Sequence, residues 1–460
     1  MLKQIIERID SRLERHGSLG AALVKGVLGT AGVRAAQGLL GFVTAIVLAK
    51  MLGPSGYGAY AFVMALVGFL SIPSELGVPG LAVREIATSN ARKDWGYMRG
   101  FIIRSHQIIG LMSLSLAVVG AVFLLVWGKA QDPIKLKCMW LGLLLIPLVS
   151  LGSLRGAMLR GLRKVVLGQL PEQVIRPATL LILILALYLA GHSFETAVSV
   201  MAVQLVSVTV AFAFGLLLFI NHRPAELSTA EPQFRTSAWL QSSIPFGLSA
   251  AMQLINGRTD ILVLGFFHDD AEVGIYRVAV QLATLIIFGQ QVVNAIQGPH
   301  VAHLYASGDM KKLQKMITKS STAIFMFSLS IVAVLILFGE PIIRIAFGSK
   351  YDGAYWPLVI LSIGQLVNAS MGAVANVLNM TGHERDTTRI IFVGAALNVS
   401  LNLSLTPAFG MVGAAAATAS GLIAWNLLMW RQAYKRTGIE TSPIFRRRSL
   451  ARRNSPPPSD

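Results

Sequence analysis

Residues 180–190 read Leu-Leu-Ile-Leu-Ile-Leu-Ala-Leu-Tyr-Leu-Ala, and residues 329–338 read Leu-Ser-Ile-Val-Ala-Val-Leu-Ile-Leu-Phe. Neither run contains a charge, and each sits inside a longer apolar stretch of the length that crosses a bilayer as a helix, about 20 residues. Counting outward from these two, the chain holds twelve such stretches: 25–49, 57–77, 103–127, 138–159, 173–190, 196–220, 240–267, 274–297, 320–339, 355–379, 388–408 and 410–430. The composition agrees. Only 13% of the 460 residues are charged and 54% are hydrophobic, against roughly 25% charged in an ordinary soluble domain. The mean hydropathy is +0.63. The reading is an all-α polytopic membrane protein.

Twelve crossings leave both termini on one side. Of the 40 Lys and Arg, 30 fall in segments on that terminal side, six on the opposite side, and four (Arg34, Arg176, Arg258, Arg277) within or at the edge of spans. Because basic residues accumulate in cytoplasmic loops, both termini are expected in the cytoplasm, with the protein in the cytoplasmic membrane.

The net charge of +18 accompanies strong apolarity, so anionic membrane lipids or an anionic cargo are better expected partners than nucleic acid. A single cysteine, Cys138, allows no internal disulfide and no cysteine metal cluster. His300 and His303 lack a nearby third ligand, and no phosphate-binding loop occurs, so no metal, nucleotide or other cofactor is expected and the chain is not read as an enzyme.

At the ends, Leu2, Ile5, Ile6, Ile9 and Leu13 follow a helical spacing, which predicts an amphipathic cytoplasmic helix over 1–22. The arginine- and proline-rich stretch 432–460 predicts a disordered basic tail. A gapless shift of 216 residues pairs Val47 with Val263, Leu48 with Leu264, Gly58 with Gly274, Tyr60 with Tyr276 and Leu66 with Leu282. The offset is six helices. It predicts two pseudo-symmetric six-helix lobes around a central cavity, 23–222 and 240–431, joined by a cytoplasmic linker over 223–239.

Leu52-Gly-Pro-Ser-Gly-Tyr-Gly-Ala-Tyr-Ala-Phe62, Glu75-Leu-Gly-Val-Pro79 and Arg84-Glu-Ile-Ala87 resemble the opening of bacterial polysaccharide flippases. These are the lipid-linked oligosaccharide exporters of the multidrug/oligosaccharidyl-lipid/polysaccharide superfamily. Asp260-Ile-Leu-Val-Leu-Gly265, Gly274-Ile-Tyr276 and Gly410-Met-Val-Gly-Ala-Ala-Ala416 are similar to the family's second half. The resemblance implies an alternating-access carrier of an undecaprenyl-diphosphate-linked oligosaccharide, used in O-antigen, capsule or exopolysaccharide synthesis beside a polymerase and glycosyltransferases.

Such a cargo directs attention to intramembrane cations. Charge at depth costs at least ~2.5–3.5 kcal/mol on insertion scales and so faces protein or water, and guanidinium offers two parallel bonds to phosphate. Arg34 and Arg258 are the candidate diphosphate ligands, with snorkelling as the alternative for Arg34. Gln37, Gln253, Asn256, Gln290 and Asn294 are candidate partners for sugar hydroxyls or, equally, helix-packing polar groups. Asp260 and Arg277 are read as a structural ion pair, with ion coupling at Asp260 as the other reading. A cation-coupled multidrug antiporter of the same superfamily and a non-transporting scaffold of a polysaccharide assembly complex remain alternatives.

Overall fold

A bilayer offers no water to backbone N–H and C=O groups, so each crossing must satisfy them within itself, as a helix does. The computed structural model describes residues 17–128, 132–192 and 196–444, and no strand occurs among them. The helices are α1 (Gly17–Glu75), α2 (Val78–Arg92), α3 (Trp95–Trp127), α4 (Pro133–Gly161), α5 (Val165–Leu170), α6 (Arg176–Leu189), α7 (Ala197–His222) and α8 (Thr236–Phe267). They continue as α9 (Asp270–Ala306), α10 (Met310–Leu337), α11 (Gly339–Ala346), α12 (Tyr355–Met371), α13 (Val374–Met380) and α14 (Glu384–Thr437). A single π-helical turn, Pro171–Ile175, joins α5 to α6.

Nine helices among the described residues are long and apolar enough to cross a membrane, and two of these are hairpins. In α14 the chain breaks at Gly410 (φ 55°, ψ −138°), and Asp386 then meets Arg436 at 2.7 Å across fifty residues of sequence. In α1 it breaks at Gly53 (φ 65°, ψ 179°). Gly29 then lies against Val166 while Ser74 bonds Ser150 at 2.7 Å, so the two limbs run back toward the side where the second half of α4 leads into α5. Only glycine takes these backbone angles without cost, and Pro54 and Pro407 weaken the helical ladder nearby. Counting each hairpin as two crossings and adding α8, which is 32 residues long but carries Gln241, Gln253, Asn256 and Arg258, gives the twelve crossings of the sequence reading.

Two contacts join the first half of the chain to the second without an intervening side chain. On the side opposite the termini, Gly58 of α1 faces Gly274 of α9. A Cβ at Gly58 would strike the carbonyl of Asp270, and a Cβ at Gly274 would strike the carbonyl of Pro54. These partners are themselves 216 residues apart, so the contact is reciprocal, the form that a two-fold relation between halves produces. On the terminal side Gly77 presses on Gly247 and the Ser243 carbonyl. The opposite side is further closed by a buried ion pair, Lys135 to Asp270 at 2.7 Å, whose ammonium also donates to the Gly265 carbonyl at 3.1 Å. There the Tyr351 hydroxyl donates to the Ala49 carbonyl at 2.8 Å.

The expected amphipathic helix over 1–22 lies for the most part outside the described residues, as do residues 445–460. Of the tail expected over 432–460, residues 432–444 are described, and they are ordered. α14 runs to Thr437, and residues 438–444 fold back against the bundle. Gln314 holds the backbone of Glu440 from both sides, donating to its carbonyl at 2.7 Å and accepting its N–H at 2.9 Å, while Ile439 is buried against Val301, Leu313 and Ile317. The burial of Ile439, the two bonds from Gln314 to Glu440 and the bond from the Ser442 hydroxyl to the Ser370 carbonyl at 2.7 Å hold in place residues whose polar composition had suggested no order.

Candidate functional site

Between the two glycine contacts lies a cavity of about 350 Å³ lined from both halves of the chain. The first limb of α1 contributes Gln37, Gly41 and Thr44, the second limb Tyr57 and Tyr60, and the π-helical turn Glu172 and Gln173. Arg176 and Gln204 enter from α6 and α7, Arg258 from α8, and Arg277 and Gln281 from α9. Three guanidiniums from three helices therefore share one space with one carboxylate.

Each is held by its own element. Arg258 donates to the Met64 carbonyl at 3.3 Å and packs against Gly68, where a larger side chain would exclude it. Arg176 meets Glu172 one turn earlier at 3.4 Å. Gln204 sits between Arg176 and Tyr60. With its amide oxygen turned to the guanidinium it accepts from Arg176 Nε at 3.0 Å and Nη2 at 3.3 Å, and its amide nitrogen donates to the Tyr60 hydroxyl at 3.1 Å. Arg277 reaches the Tyr57 hydroxyl. Arg176 and Arg277 both repel Arg258 across the cavity. Like charges at such range in a low-dielectric space are offset by an anion far better than by one glutamate. The arrangement can bind a multiply charged, oxygen-rich anion, with glutamine and tyrosine groups left for hydroxyl ligands.

The sequence candidates divide. Gln37, Arg258 and Arg277 line the cavity. Arg34 does not. It is exposed, one turn of α1 from Gln37 on the same face. Gln253 is exposed as well. Asn256 is partly buried with its amide nitrogen unpartnered. Gln290 accepts from Asn368 at 3.3 Å, which ties α9 to α12, whereas the main-chain carbonyl of Asn294 accepts from Asn376 at 3.4 Å and its own side-chain oxygen is buried without a partner.

The expected Asp260–Arg277 pair is not formed within 4 Å. The buried Asp260 carboxylate accepts from the Tyr276 hydroxyl at 2.7 Å, the Ile261 N–H at 2.8 Å and Thr418 at 3.4 Å. Tyr276 takes the face of α9 turned to Asp260, and Arg277, about 100° further round the helix, is directed into the cavity instead.

Sequence reading missed Arg176, Gln204, Tyr57, Tyr60, Gln173 and Gln281 as cavity residues. For Arg176 a signal existed: it was one of four arginines within or at the edge of spans, although its spacing of four from Glu172, with which it pairs at 3.4 Å, also suits a purely local role. Tyr57 and Tyr60 lie in the stretch Leu52–Phe62 that carries the family resemblance.

The fold is that of known transporters. A multidrug resistance MATE family transporter of the MOP superfamily in an inward-facing conformation matches with a TM-score of 0.69 at 15% identity, over 87% of this chain and 94% of that one. The lipid II flippase MurJ in an inward closed conformation matches with a TM-score of 0.69 at 16% identity, over 88% and 87%. In sequence, the probable low-salt glycan biosynthesis flippase Agl15 of Haloferax volcanii is 25% identical over 392 residues, covering 83% of this chain and 77% of that protein. The family model described as polysaccharide biosynthesis protein matches residues 23–298, more than half of the 460-residue chain, and the chain belongs to that family.

Proposed function

We propose that this protein is an alternating-access flippase that moves an undecaprenyl-diphosphate-linked oligosaccharide from the cytoplasmic to the outer face of the cytoplasmic membrane, for surface polysaccharide synthesis. The observation that carries the reading is the convergence of Arg176, Arg258 and Arg277 on one cavity between the halves of the chain. A diphosphate neutralises their mutual repulsion, the glutamine and tyrosine groups meet sugar hydroxyls, and an organic cation would be repelled. The family membership and the flippase relatives support the same reading. Residues 23–222 and 240–431 act as the rocking lobes, with both termini cytoplasmic. Arg34, one turn below Gln37, is the first cation that an entering head group meets. Glycosyltransferases supply the cargo and a polymerase consumes it.

The purified protein in liposomes is expected to flip a fluorescent sugar-diphosphate lipid without other proteins. Arg258→Ala or Arg277→Ala removes a charge-assisted bond of roughly 1.5–3 kcal/mol, so the rate is expected to fall about tenfold or more at equal membrane abundance. Lysine at either position retains the charge without the planar fork and restores part of the rate. Cation efflux without lipid movement would make the protein an antiporter, and absence of both activities would leave the scaffold.

A further inference from the structure

A second hollow lies beside the arginine cavity. It is a groove of about 800 Å³ between the end of α1 (Ile72, Pro73, Leu76) and the first half of α8 (Leu240, Ile244, Leu248). The lining is almost wholly apolar. Of its polar residues, Thr236, Ser237 and Gln241 sit toward the terminal-side end of α8, and the Ser243 hydroxyl is already committed to the Leu240 carbonyl at 2.9 Å. Ile244 and Leu248 are 65% and 50% exposed, so the groove is open rather than filled by packing.

The groove leads to Arg258. Leu248, Ala251, Ile255 and Arg258 recur at helical spacing on one face of α8, which puts the arginine about 10 Å beyond Ala251. On the α1 side its guanidinium rests on Gly68, one turn from Ile72, and donates to the Met64 carbonyl. Arg258 therefore belongs to the cationic cavity and also stands at the head of the apolar groove. A polar, positively charged chamber joined to an apolar channel through one arginine matches an amphiphile with an anionic head and a hydrocarbon tail.

We propose that the α1–α8 groove holds the isoprene units of the cargo's polyprenyl chain beyond the first two, which span the distance from Arg258 to Ala251, so that the tail leaves the protein between these two helices while the diphosphate sits at the arginines. This rests on the flippase reading and adds the path of the tail to it. A bilayer phospholipid chain is the competing occupant, and dependence on the cargo's tail separates the two.

Two measurements on the full chain in liposomes test it. Leu248→Trp and Ile244→Trp fill the groove from exposed positions. With a sugar-diphosphate lipid carrying a long polyprenyl chain, KM is expected to rise about tenfold or more, while a two-isoprene analogue is transported as by the unaltered protein. Equal effects on both lipids, or no effect on either, overturn the proposal and leave a phospholipid site or a packing gap. Separately, a long polyprenyl diphosphate with a photoreactive diazirine just beyond its second isoprene unit is expected to label residues 72–76 and 240–251. Labelling confined to other helices overturns the proposal. Labelling of the groove by a protein that transports neither lipid leaves the groove standing and removes the flippase reading.

Discussion

Arg258 and Asp260 stand two residues apart on α8 and end in opposite surroundings, because two residues turn a helix by about 200°. The arginine enters the cavity with Arg176 and Arg277. The aspartate turns into the second half's own core, where Tyr276, Thr418 and the Ile261 N–H all donate to it. Three donors on one carboxylate describe a satisfied structural anion. Asp260→Asn would turn an amide N–H toward one of these donors and remove the charge, at a cost on the order of 2 kcal/mol. A lower melting temperature in detergent is expected, with transport per folded molecule preserved; a variant that melts normally but fails to transport would show Asp260 to be functional. At this scale the sequence exposed charge but not direction. Arg258 was legible because an unpaired cation deep in a span is costly wherever it points. Gln290 was not, since an amide that packs helices and an amide that meets sugar have the same spacing, and only the position of Asn368 on a distant helix shows which partner it takes.

At the scale of elements the spans were nearly all readable, since crossing a bilayer constrains length and composition together. Predicted 138–159 became Pro133–Gly161, and predicted 196–220 became Ala197–His222. What escaped was the short amphipathic material. α2 and α11 are too short or too mixed in polarity to register as crossings, and the ordered segment 438–444 depends on a side chain more than a hundred residues away. Gln314→Ala is expected to release that segment, because it strands the Glu440 N–H and carbonyl together, a loss of about 1–3 kcal/mol. Limited proteolysis checks this: cleavage between 438 and 444 should appear in the variant and not in the parent, and identical digestion patterns would show that Gln314 is not the anchor. Gly58→Ala tests the closest helix contact. A methyl group there meets the Asp270 carbonyl, and such overpacking costs roughly 1–3 kcal/mol. A melting temperature equal to the parent's would mean that the helices separate freely at this point.

For the whole molecule, α9 provides the ruler. Its 37 residues span about 55 Å, more than the roughly 30 Å hydrocarbon core, so its two ends must lie on opposite sides. Reporter fusions at Ser307 and Asp270 are expected to read cytoplasm and exterior respectively; the same compartment for both would break the twelve-crossing topology. Five matched residues in a twenty-residue window were a faint trace of duplication, yet Gly58 and Gly274, matched in that window, turn out to touch. If the halves rock as proposed, the same meeting point sets how they can part. Where side chains interlock, two helices part only after rotamers are withdrawn one by one, and the motion is a ratchet with steps. At Gly58 and Gly274 backbone lies on backbone with nothing threaded between, so the surfaces can roll apart and re-seat as a bearing does. In the proposed cycle, resistance to opening on that side then falls to groups that can be named and removed, the Lys135–Asp270 pair, the Tyr351 hydroxyl and the Phe62 ring seated on Gly265 and Phe266, which would act as a catch rather than as the hinge.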